Sequence, residues 1–126
     1  MTFEGLDIQP AKTRVECLVD ESLKIDFEMG PAVGNERNIT AYFSNQSGND
    51  ITGLNMSVAV PKTMKIMLQS ATSSVLSGDK SNIVQQEMKI TNPFEGTKPI
   101  IILIKVNYTC NGKLTESTKK VTFPLN

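Results

Sequence analysis

Residues 22–29 alternate without a break. Leu23, Ile25, Phe27 and Met29 are apolar, while Lys24, Asp26 and Glu28 are polar. A period of two is the mark of a strand with one face in a core and the other in water. The same period runs through residues 14–19, with Val15 and Cys17 on one side, and through residues 37–45, with Ile39, Ala41 and Phe43 inward. It returns in residues 83–90, where Val84, Gln86 and Met88 alternate with Ile83, Gln85 and Glu87. Residues 100–110 begin with an apolar run on both faces, Ile100 to Ile104, as expected of a strand covered on both sides.

Between these runs lie turn residues. Asp20-Glu21 makes a tight turn, residues 30–35 (GPAVGN) a loop, and residues 45–50 (NQSGND) a turn. Asn111-Gly112 is the strongest hairpin signal, so residues 113–123 return as the partner of residues 100–110. Residues 69–82 form a long polar loop carrying an isolated Val75-Leu76 contact, and residues 91–99 a loop punctuated by Pro93, Gly96 and Pro99. Apolar residues never recur at the helical period. About eight short strands with Gly, Pro and Asn between them predict an all-β fold, an immunoglobulin-like β-sandwich of antiparallel strands. Residues 1–12, with Gly5 and Pro10 and no sustained period, read as a linker or flexible tail, leaving residues 13–126 as one domain.

The pair of strands at residues 51–60 and 64–68 is divided by Pro61-Lys62. Proline has no N–H to give to a ladder, so the chain turns there or passes from one sheet to the other. A strand leaving such a turn lies near a sheet edge, where another chain can pair. Met64, Ile66 and Leu68 share one face of the second strand, and Lys65 and Met67 the other.

Composition narrows the function. The 13 basic and 13 acidic residues cancel, which removes any long-range pull toward nucleic acid or an anionic membrane. Histidine is absent, and with it the commonest general base and metal ligand. Two cysteines, Cys17 and Cys110, are too few for a zinc site and are expected as free thiols; a disulfide requires neighbouring strands. No apolar run approaches the ~20 residues that cross a bilayer, so no membrane insertion is expected. The opening residues are acidic and mixed, unlike a signal peptide. Asp26 and Glu28 lie two apart on one strand and read as a solvated face, and the serine-rich stretch of residues 70–81 has no base to activate it. No enzyme and no cofactor are expected.

The stretch Ala59-Val60-Pro61-Lys62-Thr63-Met64-Lys65-Ile66-Met67-Leu68-Gln69 resembles a segment of gamma-adaptin ear domains: Ala-Val-Pro-Lys, then Ser or Thr, then Leu five places on. Thr63-Met64-Lys65 is closest to the ears of the Golgi-localised, gamma-ear-containing, ARF-binding (GGA) clathrin adaptors. Ile83 to Gln86, Thr91-Asn92-Pro93, Lys105-Val106-Asn107-Tyr108 and Phe123-Pro124 follow in the family's order, so the likeness covers roughly residues 13–126.

The resemblance implies an eight-stranded sandwich that binds short linear peptide motifs of accessory trafficking proteins. Those motifs are an aromatic, a glycine, an acidic residue or proline, then an aliphatic or aromatic residue. The domain would be monomeric within a longer adaptor, on the cytoplasmic face of the Golgi apparatus, trans-Golgi network and endosomes. By position, the peptide-binding residues would be Ala59, Pro61, Lys62, Leu68 and Ala71, with Ile101 and Leu103 where relatives carry two basic residues. The site is then more apolar than in those relatives, with Lys62 and Lys65 left to supply charge. One alternative stays open. Four Asn-x-Ser/Thr sequons, at Asn38, Asn45, Asn55 and Asn107, fit a secreted or cell-surface immunoglobulin-like adhesion domain.

Overall fold

The computed structural model describes residues 13–18, 20–79, 84–93 and 99–123. The expected tail, residues 1–12, lies outside them. Eight strands follow in order: β1 (Thr13–Leu18), β2 (Leu23–Met29), β3 (Glu36–Asn45), β4 (Ile51–Ala59), β5 (Lys65–Leu68), β6 (Val84–Thr91), β7 (Ile100–Cys110) and β8 (Lys113–Phe123). They form two antiparallel sheets, β1-β2-β3-β6-β5 and β4-β7-β8, and no helix occurs among the described residues.

Alternation decides which side chains fill the space between the sheets. Leu23, Ile25, Phe27 and Met29 of β2 are buried, with Ile39, Ala41 and Phe43 of β3 beside them. From the smaller sheet come Leu54, Met56, Ile102, Ile104, Val106, Val121 and Phe123. Phe27 meets Phe123 edge to face at 5.7 Å between ring centres, joining the two sheets at the core.

The proline between β4 and β5 marks a change of sheet. β4 pairs with β7, whereas β5 pairs with β6. The crossing is closed by Met64 N–H donating to the Pro61 carbonyl at 2.9 Å. β5 is an edge strand of the larger sheet and β4 an edge strand of the smaller, and Leu68 of β5 and residues 54–57 of β4 line one slot. Asn111 and Gly112 both take positive φ, 54° and 76°, as a two-residue hairpin of the primed type requires. The loop contact expected at Val75-Leu76 is made by Leu76, which is buried and bridges to Ile51.

One sequence reading changes. β7 is not covered on both faces: Ile102, Ile104 and Val106 are buried, but Leu103 on the outer face is 48 % exposed. An apolar run reports that both faces are greasy, not what lies against them. The alternation puts Arg37 and Asn45 on the inward face with Ile39, Ala41 and Phe43, and Gln86 with Val84 and Met88, and all three polar residues are buried there. Each reaches main-chain carbonyls: Arg37 Nη1 donates to Gly30 at 3.1 Å, and Asn45 Nδ2 to Asn49 at 2.7 Å and Leu76 at 3.1 Å. Cys17 and Cys110 sit on strands of different sheets and are free thiols, and burial pushes the Cys17 thiol up.

A second tie between the sheets is polar. Asp20 accepts from Ser22 N–H at 2.7 Å and Leu23 N–H at 2.9 Å, and the Tyr108 hydroxyl of β7 donates to its other oxygen. Burial works to raise the Asp20 pKa. The Tyr108 hydroxyl, the two N–H groups and the Lys119 charge outweigh it and hold the carboxyl below its usual range. Burial, then Asp20, pushes Tyr108 well above an ordinary tyrosine.

The signs predict a two-sided pH profile. A depressed carboxyl stabilises the fold above its unfolded value of about 4, and that stability is lost as pH falls through the lower folded pKa. A raised tyrosine stabilises it fully below the unfolded value of about 10, and that part is lost as pH climbs from there toward the folded pKa. Urea midpoints should therefore drop at both extremes. Tyr108→Phe should weaken the alkaline limb, and an unchanged limb contradicts the assignment.

Candidate functional site: an apolar groove on the outer face of the smaller sheet

Four of the residues singled out in the sequence come together. Ala59, Pro61, Ile101 and Leu103, with Val60, Ile102 and Lys120, line a groove of about 300 Å³. Register explains it: Ala59 lies opposite Leu103 in the β4–β7 ladder, and Leu103 opposite Lys120 in the β7–β8 ladder. Ala59, Leu103 and Lys120 thus form one row across the outer face. Ile101 stands two residues from Leu103 on the same face, and Pro61 closes the end where β4 leaves the sheet. Among the described residues the walls are almost wholly hydrocarbon, with one cation, Lys120, at the rim. Such a surface can hold an apolar side chain and offer a charge to an acidic neighbour.

The remaining three predicted residues lie elsewhere. Leu68, at the end of β5, and Ala71 line a separate slot of about 460 Å³ between β4 and the larger sheet. Leu68 is 37 % exposed, so it is not core. Lys62 is exposed in the Pro61–Met64 crossing and lines neither hollow. The charge expected from Lys62 and Lys65 is supplied at the groove by Lys120 instead.

Lys120 was missed, although a signal for it existed. Cys110 pairs with Lys113 across the Asn111-Gly112 turn, so seven residues outward on each arm set Leu103 opposite Lys120. Gln86 in the slot had a signal as well, since the period of two sets it on one face with Val84 and Met88. Among the described residues no group of three or more His, Cys, Asp or Glu could hold a metal ion.

The model of the adaptin C-terminal domain matches residues 13–124. The chain belongs to the adaptin C-terminal (ear) domain family. This ear is 34 % identical over 123 residues to ADP-ribosylation factor-binding protein GGA2 of Saccharomyces cerevisiae, covering 95 % of this chain and 20 % of that protein. It is 31 % identical over 118 residues to AP-1 complex subunit gamma-1 of Arabidopsis thaliana, covering 91 % of this chain and 14 % of that protein. The chain therefore spans 14 % to 20 % of the length of these curated relatives.

Among solved structures, the GAE domain of GGA2p from Saccharomyces cerevisiae superposes with a TM-score of 0.75 at 32 % identity, over 91 % of this chain and 98 % of that one. The GAE domain of yeast GGA1 gives 0.79 at 25 % identity, over 89 % and 99 %. The sequence resemblance and the eight-stranded sandwich are both upheld. The adhesion alternative loses support from the family and from Asn45, whose side-chain amide is buried in three carbonyl contacts and closed to a glycan.

Proposed function

We propose that this ear domain binds short extended peptides of accessory trafficking proteins, seating an apolar side chain in the groove lined by Ala59, Pro61, Ile101 and Leu103. It would serve as the appendage of a longer clathrin adaptor on the cytoplasmic face of the trans-Golgi network and endosomes. The relatives' names, AP-1 gamma and GGA2, support that setting. The observation that carries the reading is the exposure of Leu103 in an apolar, concave row on a sheet face where alternation would normally place polar residues.

A contact this small fits micromolar affinity, about −7 to −8 kcal/mol. Calorimetric titration with a peptide carrying an aromatic-glycine motif should give such a constant, and replacing its aromatic residue by glycine should remove the signal. Equal heats from both peptides contradict the reading.

Salt separates apolar from ionic contributions. Among the described residues only Lys120 brings charge to the groove, and an exposed pair contributes about 0–1 kcal/mol. Burial at about 25 cal/mol per Å² supplies the rest. Affinity should therefore change by less than about threefold between roughly 50 and 500 mM salt, where screening shortens several-fold. The double variant Ile101→Arg, Leu103→Arg should bind acidic peptides with a steeper salt dependence. A wild type that loses most of its affinity in high salt contradicts the apolar account.

A further inference from the structure

We propose that Thr63 is a phosphorylation site for a kinase that reads basic residues. The phosphate turns the groove against peptides with an acidic residue after the glycine and leaves those with proline there. The inference rests on the peptide-binding reading above and goes beyond it in naming a modification and the ligand class it disfavours.

Thr63 lies in the crossing between β4 and β5, in the sequence Pro61-Lys62-Thr63-Met64-Lys65. One lysine stands immediately before it and another two places after it. Residues 61–63 are all exposed and belong to neither ladder. The bond that closes the crossing, from Met64 N–H to the Pro61 carbonyl, uses neither main-chain group of Thr63. Among the described residues the Thr63 hydroxyl has no hydrogen-bond partner.

The two lysines have no structural task. Lys62 and Lys65 line neither hollow, and among the described residues they make no ion pair. Two unpaired cations flanking a free hydroxyl are what the acidic residues of such a kinase would grip. Thr13, Thr91 and Thr118 also have basic neighbours. Each is held in a ladder, opposite Met29, Glu36 and Lys105 respectively. A residue bonded in a sheet must be pulled out before it can lie in a kinase cleft, and Thr63 is spared that cost.

In the transfer, Thr63 Oγ1 attacks the γ-phosphorus of ATP. The new O–P bond forms as the bond to the β–γ bridging oxygen breaks. ADP leaves with that electron pair, and the hydroxyl proton passes to the catalytic base of the kinase. The group left on Thr63 carries about −1.5 to −2 charges at neutral pH.

That charge sits at one end of the groove. Val60 and Pro61 line it, and Thr63 is two residues past Pro61, so their Cα atoms are at most about 7 Å apart. Charges act over about 8 Å at physiological salt. The phosphate therefore lowers the potential at this end by up to two charges. A carboxylate on the bound peptide is disfavoured, whereas a proline in its place carries no charge to respond. The apolar contact at Leu103 is unaltered, so binding itself persists.

The ear is incubated with ATP and a purified serine/threonine kinase selective for basic residues on both sides of its target. Intact mass should show one phosphate, mapped to Thr63 and missing from Thr63→Val. Lys65→Gln should slow its addition about fivefold with an unchanged melt. Modified and unmodified ear are then titrated with two peptides that differ at one place, containing Phe-Gly-Asp-Phe or Phe-Gly-Pro-Phe. The phosphate should weaken the aspartate peptide about fivefold at roughly 50 mM salt and less than about twofold at roughly 500 mM. The proline peptide should stay within about twofold at both. No phosphate on Thr63, while the same kinase modifies a free peptide of residues 58–68, overturns the inference. So does a modified ear that ranks the two peptides as the unmodified ear does. In both cases groove binding stands. If the unmodified ear binds neither peptide, the groove reading fails and the regulatory part of this inference with it.

Discussion

Leu103→Glu should abolish measurable peptide binding while the ear keeps its cooperative melt. Leu103 is half exposed on the outer face of β7, so in the free protein the carboxylate stays in water, opposite Lys120. Surface changes of this kind shift stability by about 0.5 kcal/mol or less. In the complex the same carboxylate would sit beneath an apolar anchor. It would lose hydration that pairing with Lys120 at the rim offsets only in part, and the leucine contact would be gone as well. Together these should cost about 2–3 kcal/mol, or roughly 30- to 150-fold in affinity, which takes a micromolar complex out of reach. Calorimetry and a thermal melt on the same sample check both halves. An unfolded variant would mean that Leu103 supports the core, and an unchanged affinity would place the site elsewhere.

The largest effect on stability is expected at Phe27. Its ring is fully buried and meets Phe123 at 86° between ring planes, bridging the two sheets. Phe27→Ala removes the apolar contact and leaves a cavity that neighbouring strands, fixed by their ladders, can close only in part. The expected loss is about 3–5 kcal/mol, a large share of the roughly 5–15 kcal/mol that holds a domain of this size together. Urea unfolding should show a large fall in midpoint with an unchanged slope. A loss under about 1 kcal/mol would mean that the core closes around the missing ring.

Local rules made much of this fold readable. Period two placed Leu23, Ile25, Phe27 and Met29 inward, Asn111-Gly112 set the β7–β8 hairpin, and Pro61 marked the passage between sheets. Each signal acts through neighbours within a few residues. What the sequence left out depends on contacts between distant segments. That Leu68 faces a slot, whereas Ile101 and Leu103 face a groove, follows from which sheet each strand joins. Arg37, Asn45 and Gln86 lie on the inward faces of their strands by alternation, but the carbonyls that satisfy them there are brought by loops. The exposure of Leu103 shows the remaining gap. Alternation tells which side chains share a face, and nothing in it tells whether that face is covered by the chain or left for a partner.

The central claim is that a peptide anchors in the row Ala59, Leu103, Lys120. Methyl-labelled protein titrated with an aromatic-glycine peptide tests it most directly. The methyl signals of Ala59, Ile101 and Leu103 should move together and saturate with one constant, while those of Ile39 and Ile90 in the core stay in place. Shifts confined to the outer face of the larger sheet, around Tyr42 and Met67, with Leu103 unmoved, would contradict it.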